Sequence, residues 1–191
     1  MMPEREKLAA GLGCAAWGYF LLLFNFEING FNLLPEFLGY VLFFWALEHF
    51  AGTGPDWAGL KSLCLFLLIY NLLNYVQIID ALPVGMFVIM LASVAQIYFH
   101  FQFLSGVAEL AASEAADEKL VGKFLGWRTV YVVLMTGLCV LLYFFNGDFD
   151  SWLVWPVLLL GFAVMVAEFW LMLALFKLRK ILRKEAKLPI E

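Results

Sequence analysis

Few side chains in this sequence could do acid–base or ligand chemistry, and several of them lie inside long apolar runs. Glu168 is the only charge between Trp152 and Phe176. An ionisable group set that deep in apolar surroundings is costly and defaults to a functional candidate. Glu48 and His49 adjoin the end of another apolar run, where a long side chain can reach water. His100 follows Gln96 by one helical turn, so the two share a face. Asn71, Asn74 and Gln77 recur every third residue as a polar stripe that drifts around a helix. The candidate ligand-binding set is therefore Glu168, Gln96, Glu48, His100, Asn71, Asn74 and Gln77. Each has a structural counterpart reading: a hydrogen-bonded carboxylate, a snorkelling pair, a packed histidine, amides bonding between helices.

No catalytic residue is assigned. The sequence has no G-x-S-x-G, no H-E-x-x-H and no glycine-rich phosphate loop. Ser93 has no evident base as partner. Metal ligands could come from His49, His100, Glu48 and Glu168, but no close ligand spacing supports them, so neither a metal nor a cofactor is expected. Cys14, Cys64 and Cys139 fall singly inside apolar runs, as small packing residues do.

These residues must be positioned by apolar helices. The chain has 191 residues, of which 64% are hydrophobic and only 15% charged. A soluble domain has about 45–50% apolar and about 25% charged residues. A crossing helix needs about 20 mostly apolar residues. Six segments qualify: 8–26, 31–50, 62–79, 82–103, 129–145 and 152–176. The N-terminus reads as the start of an uncleaved first helix, because Glu4 and Glu6 dilute the positive charge a signal peptide would carry. The expected fold class is all-α, a polytopic integral membrane helical bundle with six transmembrane helices in one domain. The long Ala- and Glu-rich connection after the fourth span favours helix, so that helix should run on to a turn near Gly122 or Gly126.

Orientation follows from the basic residues. All twelve lysines and arginines fall before the first span, in the second and fourth connections, or after the sixth span. The positive-inside rule then puts both termini in the cytoplasm of a cell-membrane protein. The same segregation leaves an acidic outer rim of Glu27, Glu36, Asp80, Asp148 and Asp150 without a basic residue to offset it. That rim is either helix capping and topology, or a negative mouth that favours cationic and zwitterionic ligands. The lipid bilayer is the expected partner. The basic stretch 177–187 follows a span directly, which fits anionic lipid head groups better than nucleic acid.

Small residues at four-residue spacing in the first span (Ala9 and Gly13, Gly11 and Ala15, Cys14 and Gly18) allow close helix approach. A weaker pattern concerns Pro35, Pro83 and Pro156, each near the start of an outside-to-inside span. Each is preceded by an asparagine (Asn25, Asn74, Asn146) and followed at similar depth by Glu48, Gln96 or Glu168. Three copies of a helical hairpin would produce this pattern, and so would ordinary turn chemistry and proline at helix starts. Residues 31–44, FNLLPEFLGYVLFF, carry Leu34, Pro35, Phe37, Gly39 and Tyr40. This segment resembles an L-P-x-F-x-G-Y stretch of uncharacterised multi-pass membrane proteins of Gram-positive bacteria. The resemblance implies a membrane protein and no particular activity.

Three functional readings remain open. The first is binding or transport of a small solute through a polar pocket in the bundle. The second is a non-catalytic membrane partner or scaffold subunit that assembles with another protein. The third is an intramembrane enzyme. A cavity lined by Glu168 and Gln96 would favour the first, and a filled core with an apolar flank the second.

Overall fold

The computed structural model describes residues 4–23, 27–28, 31–32, 35–53, 55–79, 85–115, 117–144 and 154–186. Six helices carry these residues: α1 (Glu4–Leu23), α2 (Glu36–Phe50), α3 (Trp57–Tyr75), α4 (Gly85–Glu114), α5 (Glu118–Phe144) and α6 (Val154–Glu185). A two-residue antiparallel pair, β1 (Glu27–Ile28) and β2 (Phe31–Asn32), lies between α1 and α2. Each helix packs against the next in sequence, and α6 returns to α1, which closes a ring.

Backbone chemistry sets several helix ends. The Asp56 carboxylate accepts from the Ala58 N–H at 3.1 Å and starts α3. Asp117 does the same for α5, accepting from Leu120 N–H at 3.0 Å. At the end of α3, Ile78 N–H bonds to Leu73 C=O and Gln77 N–H to Asn74 C=O. These are the two bonds of a Schellman cap, and the residue at its left-handed position is Gln77, at φ +58°. Glycine would adopt that conformation without a steric cost.

The six-span expectation is met in part. Among the described residues, four helices are long and apolar enough to cross a membrane: α3, α4, α5 over Glu118–Tyr143, and α6. The other two fall short for separate reasons. The first turn of α1 is Glu4-Arg5-Glu6-Lys7, and α2 has only 15 residues, about 22 Å of rise. The second segment was expected to be helical from Phe31, yet helix begins after Pro35, and Phe31–Asn32 pairs with Glu27–Ile28. The sequence between the paired residues is Asn29-Gly30, the dipeptide that two-residue hairpin loops favour. The expected turn near Gly122 or Gly126 is also corrected. Helix α4 ends at Glu114 and α5 begins at Glu118, so both glycines lie within α5. The Asp117 cap starts the helix ahead of them, and a Cβ on either glycine would meet open space.

A close seam joins α1 and α2. A Cβ on Gly18 would approach Gly39 C=O at 3.2 Å, and one on Gly39 would approach Gly18 C=O at 3.1 Å. A Cβ on Gly11 would come closer still, 2.7 Å from Phe50, 2.8 Å from His49 and 3.1 Å from Ala46 C=O. The small-residue spacing in the first span thus packs α1 inside the bundle, where backbones cross at short range. At the same end of the molecule, Arg5 pairs with Glu114 of α4 and Glu185 of α6. Lys177 pairs with Asp117, and Lys61 with Glu48 at 2.7 Å. These contacts gather the start of α1, the ends of α2, α4 and α6, and the starts of α3 and α5 at one basic end. The outer flank of α4–α6 is apolar, with Phe87, Val94, Val133, Leu159 and Phe162 all exposed.

Candidate functional site

Five helices send a polar side chain into the buried centre. Tyr19 of α1, Tyr40 of α2, His100 of α4 and Tyr131 of α5 are fully buried, and Glu168 of α6 is nearly so. Tyr19 Oη lies 3.0 Å from His100 Nδ1. The Tyr131 hydroxyl donates to Glu168 Oε1 over a longer 3.4 Å. The two pairs meet face to edge, with the His100 and Tyr131 ring centroids 5.0 Å apart. Phe43 and Phe99 complete the shell around the imidazole at 5.7 and 5.2 Å. Among the described residues Glu168 has no ion-pair partner. Two polar atoms of the cluster, Tyr40 Oη and His100 Nε2, are buried without a hydrogen bond among the described residues. Each such atom costs roughly 1–3 kcal/mol.

Of the residues singled out from sequence, the structure brings Glu168 and His100 into this cluster. Asn71 is buried but bonds Leu67 C=O of its own helix at 2.8 Å. Asn74 is exposed, and Gln77 is occupied by the cap, so the stripe on α3 lines no common site. Gln96 is half-buried. Glu48 faces outward in its pair with Lys61, and so does not share an inward layer with Gln96 and Glu168. His49 Nδ1 lies 2.7 Å from Trp45 C=O. Of the acidic rim, Glu36 is the half-buried first residue of α2. Glu27 has its backbone in β1, and Asp80, Asp148 and Asp150 lie outside the described residues.

A second feature lies on the opposite face of α4. A cleft of about 740 Å³ separates α3 from α4 toward the basic end. Trp57, Leu60 and Leu63 form its apolar side, and Ser62, Tyr98, Gln102, Ser105 and Glu109 supply polar groups. Gln102 donates to Tyr98 Oη at 3.1 Å. Ser105 Oγ accepts from Arg128 Nη1 at 2.9 Å, and Arg128 lies over the Phe101 ring at 4.4 Å. The lining includes the acids Asp56 and Glu109 but no basic residue. The volume falls in the usual range for small-molecule sites, about 300–1,000 Å³, and so does the mixture of apolar wall and few polar groups. α4 therefore separates two environments: His100 and Phe99 face the cluster, Tyr98 and Gln102 the cleft.

The sequence reading missed Tyr19, Tyr40 and Tyr131, because nothing local marks which tyrosine of a span faces inward. It also missed the cleft, although Tyr98, Gln102, Ser105 and Glu109 recur at helical spacing and form a legible stripe. Among the described residues, no three His, Cys, Asp or Glu side chains lie together as a metal site. Compared with known proteins, the chain matches no family model, no curated protein and no solved structure.

Proposed function

We propose that this is a six-span membrane protein that binds, and moves across or senses, a small cationic or zwitterionic solute. In this reading α1 and α2, with their flanking residues, complete six crossings, and the basic end with both termini faces the cytoplasm. The segregation of all twelve basic residues supports that orientation. The observation that carries the functional reading is the α3–α4 cleft, which combines a suitable volume, polar side chains on α4 and two acids in its lining, with Arg128 behind Ser105. Because α4 also holds His100, a solute in the cleft would press on the helix that anchors the buried cluster.

Gly59 gives a clean test. It lines the cleft, and a Cβ there would meet nothing within 4 Å. Gly59→Leu should obstruct the cleft without disturbing the packing. Thermal unfolding in nanodiscs would be followed with choline, ethanolamine and glycine betaine, against acetate and lactate. The wild type should gain a few degrees with at least one cation or zwitterion, since saturating ligand stabilises the native state. The leucine variant should gain nothing. A response to the anions alone, no response at all, or an equal response in Gly59→Leu would reject the reading.

A second reading, a non-catalytic membrane partner, draws on a different observation. The centre is filled by aromatic rings, and among the described residues the α3–α4 cleft is lined by none of Glu168, His100 and Gln96. In that case the exposed flank of α4–α6 would meet another membrane protein, and the panel above would leave stability unchanged.

A further inference from the structure

The inner ends of α5 and α6 form a groove of about 360 Å³, away from the α3–α4 cleft. Trp127 and Trp170 stand across it, their rings 6.1 Å apart and nearly parallel at 9°. Lys123 lies one helical turn before Trp127, and Lys177 two turns after Trp170. The helices run in opposite directions, so both lysines sit on the basic side of the tryptophan pair. Both are exposed. Lys177 is 3.7 Å from Asp117, while Lys123 makes no ion pair among the described residues. Between lysines and rings the floor is apolar, formed by Leu173 and Ala174.

This order of groups matches the profile of a single lipid molecule. A phosphate finds two ammonium groups at the head-group level. The glycerol region finds amphipathic indoles, which settle at the membrane interface. The acyl chains continue along Val133 and Phe162, which are exposed on the two helices. A free phosphate would use the lysines but gain nothing from the rings or the apolar floor. We infer that the groove binds one anionic phospholipid, its phosphate held by Lys123 and Lys177 and its upper chains laid against Trp127 and Trp170.

The test uses the full chain in nanodiscs of phosphatidylcholine containing a minor share of acyl-brominated lipid. The brominated lipid is either phosphatidylglycerol or phosphatidylcholine, and tryptophan quenching is read. The contribution of the groove is the difference from a Trp127→Phe/Trp170→Phe protein. Two lysines near a surface favour anionic over zwitterionic lipid by roughly tenfold or more. Groove quenching should therefore be stronger with brominated phosphatidylglycerol, and Lys123→Gln/Lys177→Gln should abolish the preference. Lys7→Gln/Lys119→Gln removes the same charge from the same end outside the groove and should leave the preference intact. Equal quenching by both lipids in the wild type would overturn the inference. An equal loss in the Lys7/Lys119 variant would mean diffuse attraction only. Loss of the preference when phosphate replaces chloride at equal ionic strength would mean a free-anion site, and would overturn it too.

Discussion

The first and second helical hairpins both set glycines against close neighbours, but only the second leaves one of them open. In the α1–α2 pair, Gly11, Gly18 and Gly39 sit where the two backbones nearly touch. In the α3–α4 pair, Gly106 is pressed against the Trp57 ring of α3, but Gly59 faces open space, and α3 and α4 make the sparsest contact of any neighbouring pair in the ring. Composition alone does not separate the two cases. What separates Gly59 from the glycines of the first hairpin is that nothing arrives opposite it. In lipid, where apolar side chains gain little by leaving the tails, close van der Waals packing holds helices together. The first hairpin has that packing at Gly11, Gly18 and Gly39; the second has it at Gly106 against Trp57 and leaves a cleft beside Gly59.

The same substitution should therefore have opposite effects in the two hairpins. Gly11→Leu would set a Cβ 2.7 Å from Phe50 Cε1 and 2.8 Å from His49 Cβ. Overpacking of this kind costs roughly 1–3 kcal/mol, visible as a lower unfolding midpoint in detergent. Gly59→Leu should hold or raise that midpoint, because leucine is the better helix former by up to about 1 kcal/mol. Similar losses at both sites would end the comparison.

The tyrosines sharpen it within the first hairpin. Tyr19→Phe removes the partner of His100 Nδ1 and should cost about 1–3 kcal/mol by leaving a buried polar atom unpaired. Tyr40→Phe removes a hydroxyl that already lacks a partner, so it should be neutral or slightly stabilising. The reverse ranking would show that Tyr40, rather than Tyr19, holds the cluster.

A smaller effect belongs to the far end of the second hairpin. Gln77→Gly relieves a left-handed backbone at the α3 cap and should stabilise by about 1 kcal/mol. No change, or a loss, would mean that the side chain contributes at that turn. The smallest effect is expected at the joint between the hairpins. Glu48→Gln breaks the pair with Lys61, which is partly open to solvent. Such pairs contribute about 0–1 kcal/mol, and the loss should shrink further at high salt.

Much of this architecture was legible from charge and run length. The basic residues mark one end, and the contacts of Arg5, Lys61 and Lys177 bear out that grouping. Glu168 and His100 stood out because ionisable groups inside apolar runs are rare. The tyrosines did not, since a tyrosine suits an interface as well as a core. The turn after α4 was misplaced because Gly122 and Gly126 read as breakers, whereas a single Asp117 cap fixes the helix start. The strand pair was hidden by the apolar run around it, although Asn29-Gly30 carried the signal. The cleft depends on the distance between two helices, which no one-dimensional pattern encodes.

In the proposed orientation the second hairpin opens at the basic end toward the cytoplasm, while the α1–α2 seam is closed. Replace Cys14, Cys64 and Cys139 with alanine, then introduce one cysteine at Ser62 in the cleft or at Ala15 in the buried α1 seam. Treat sealed vesicles of either orientation with a membrane-impermeant maleimide. Ser62→Cys should label only when the cytoplasmic face is outward, and Ala15→Cys should resist labelling from both sides. Labelling of Ser62→Cys from the opposite face, or equal labelling at the two positions, would contradict the account.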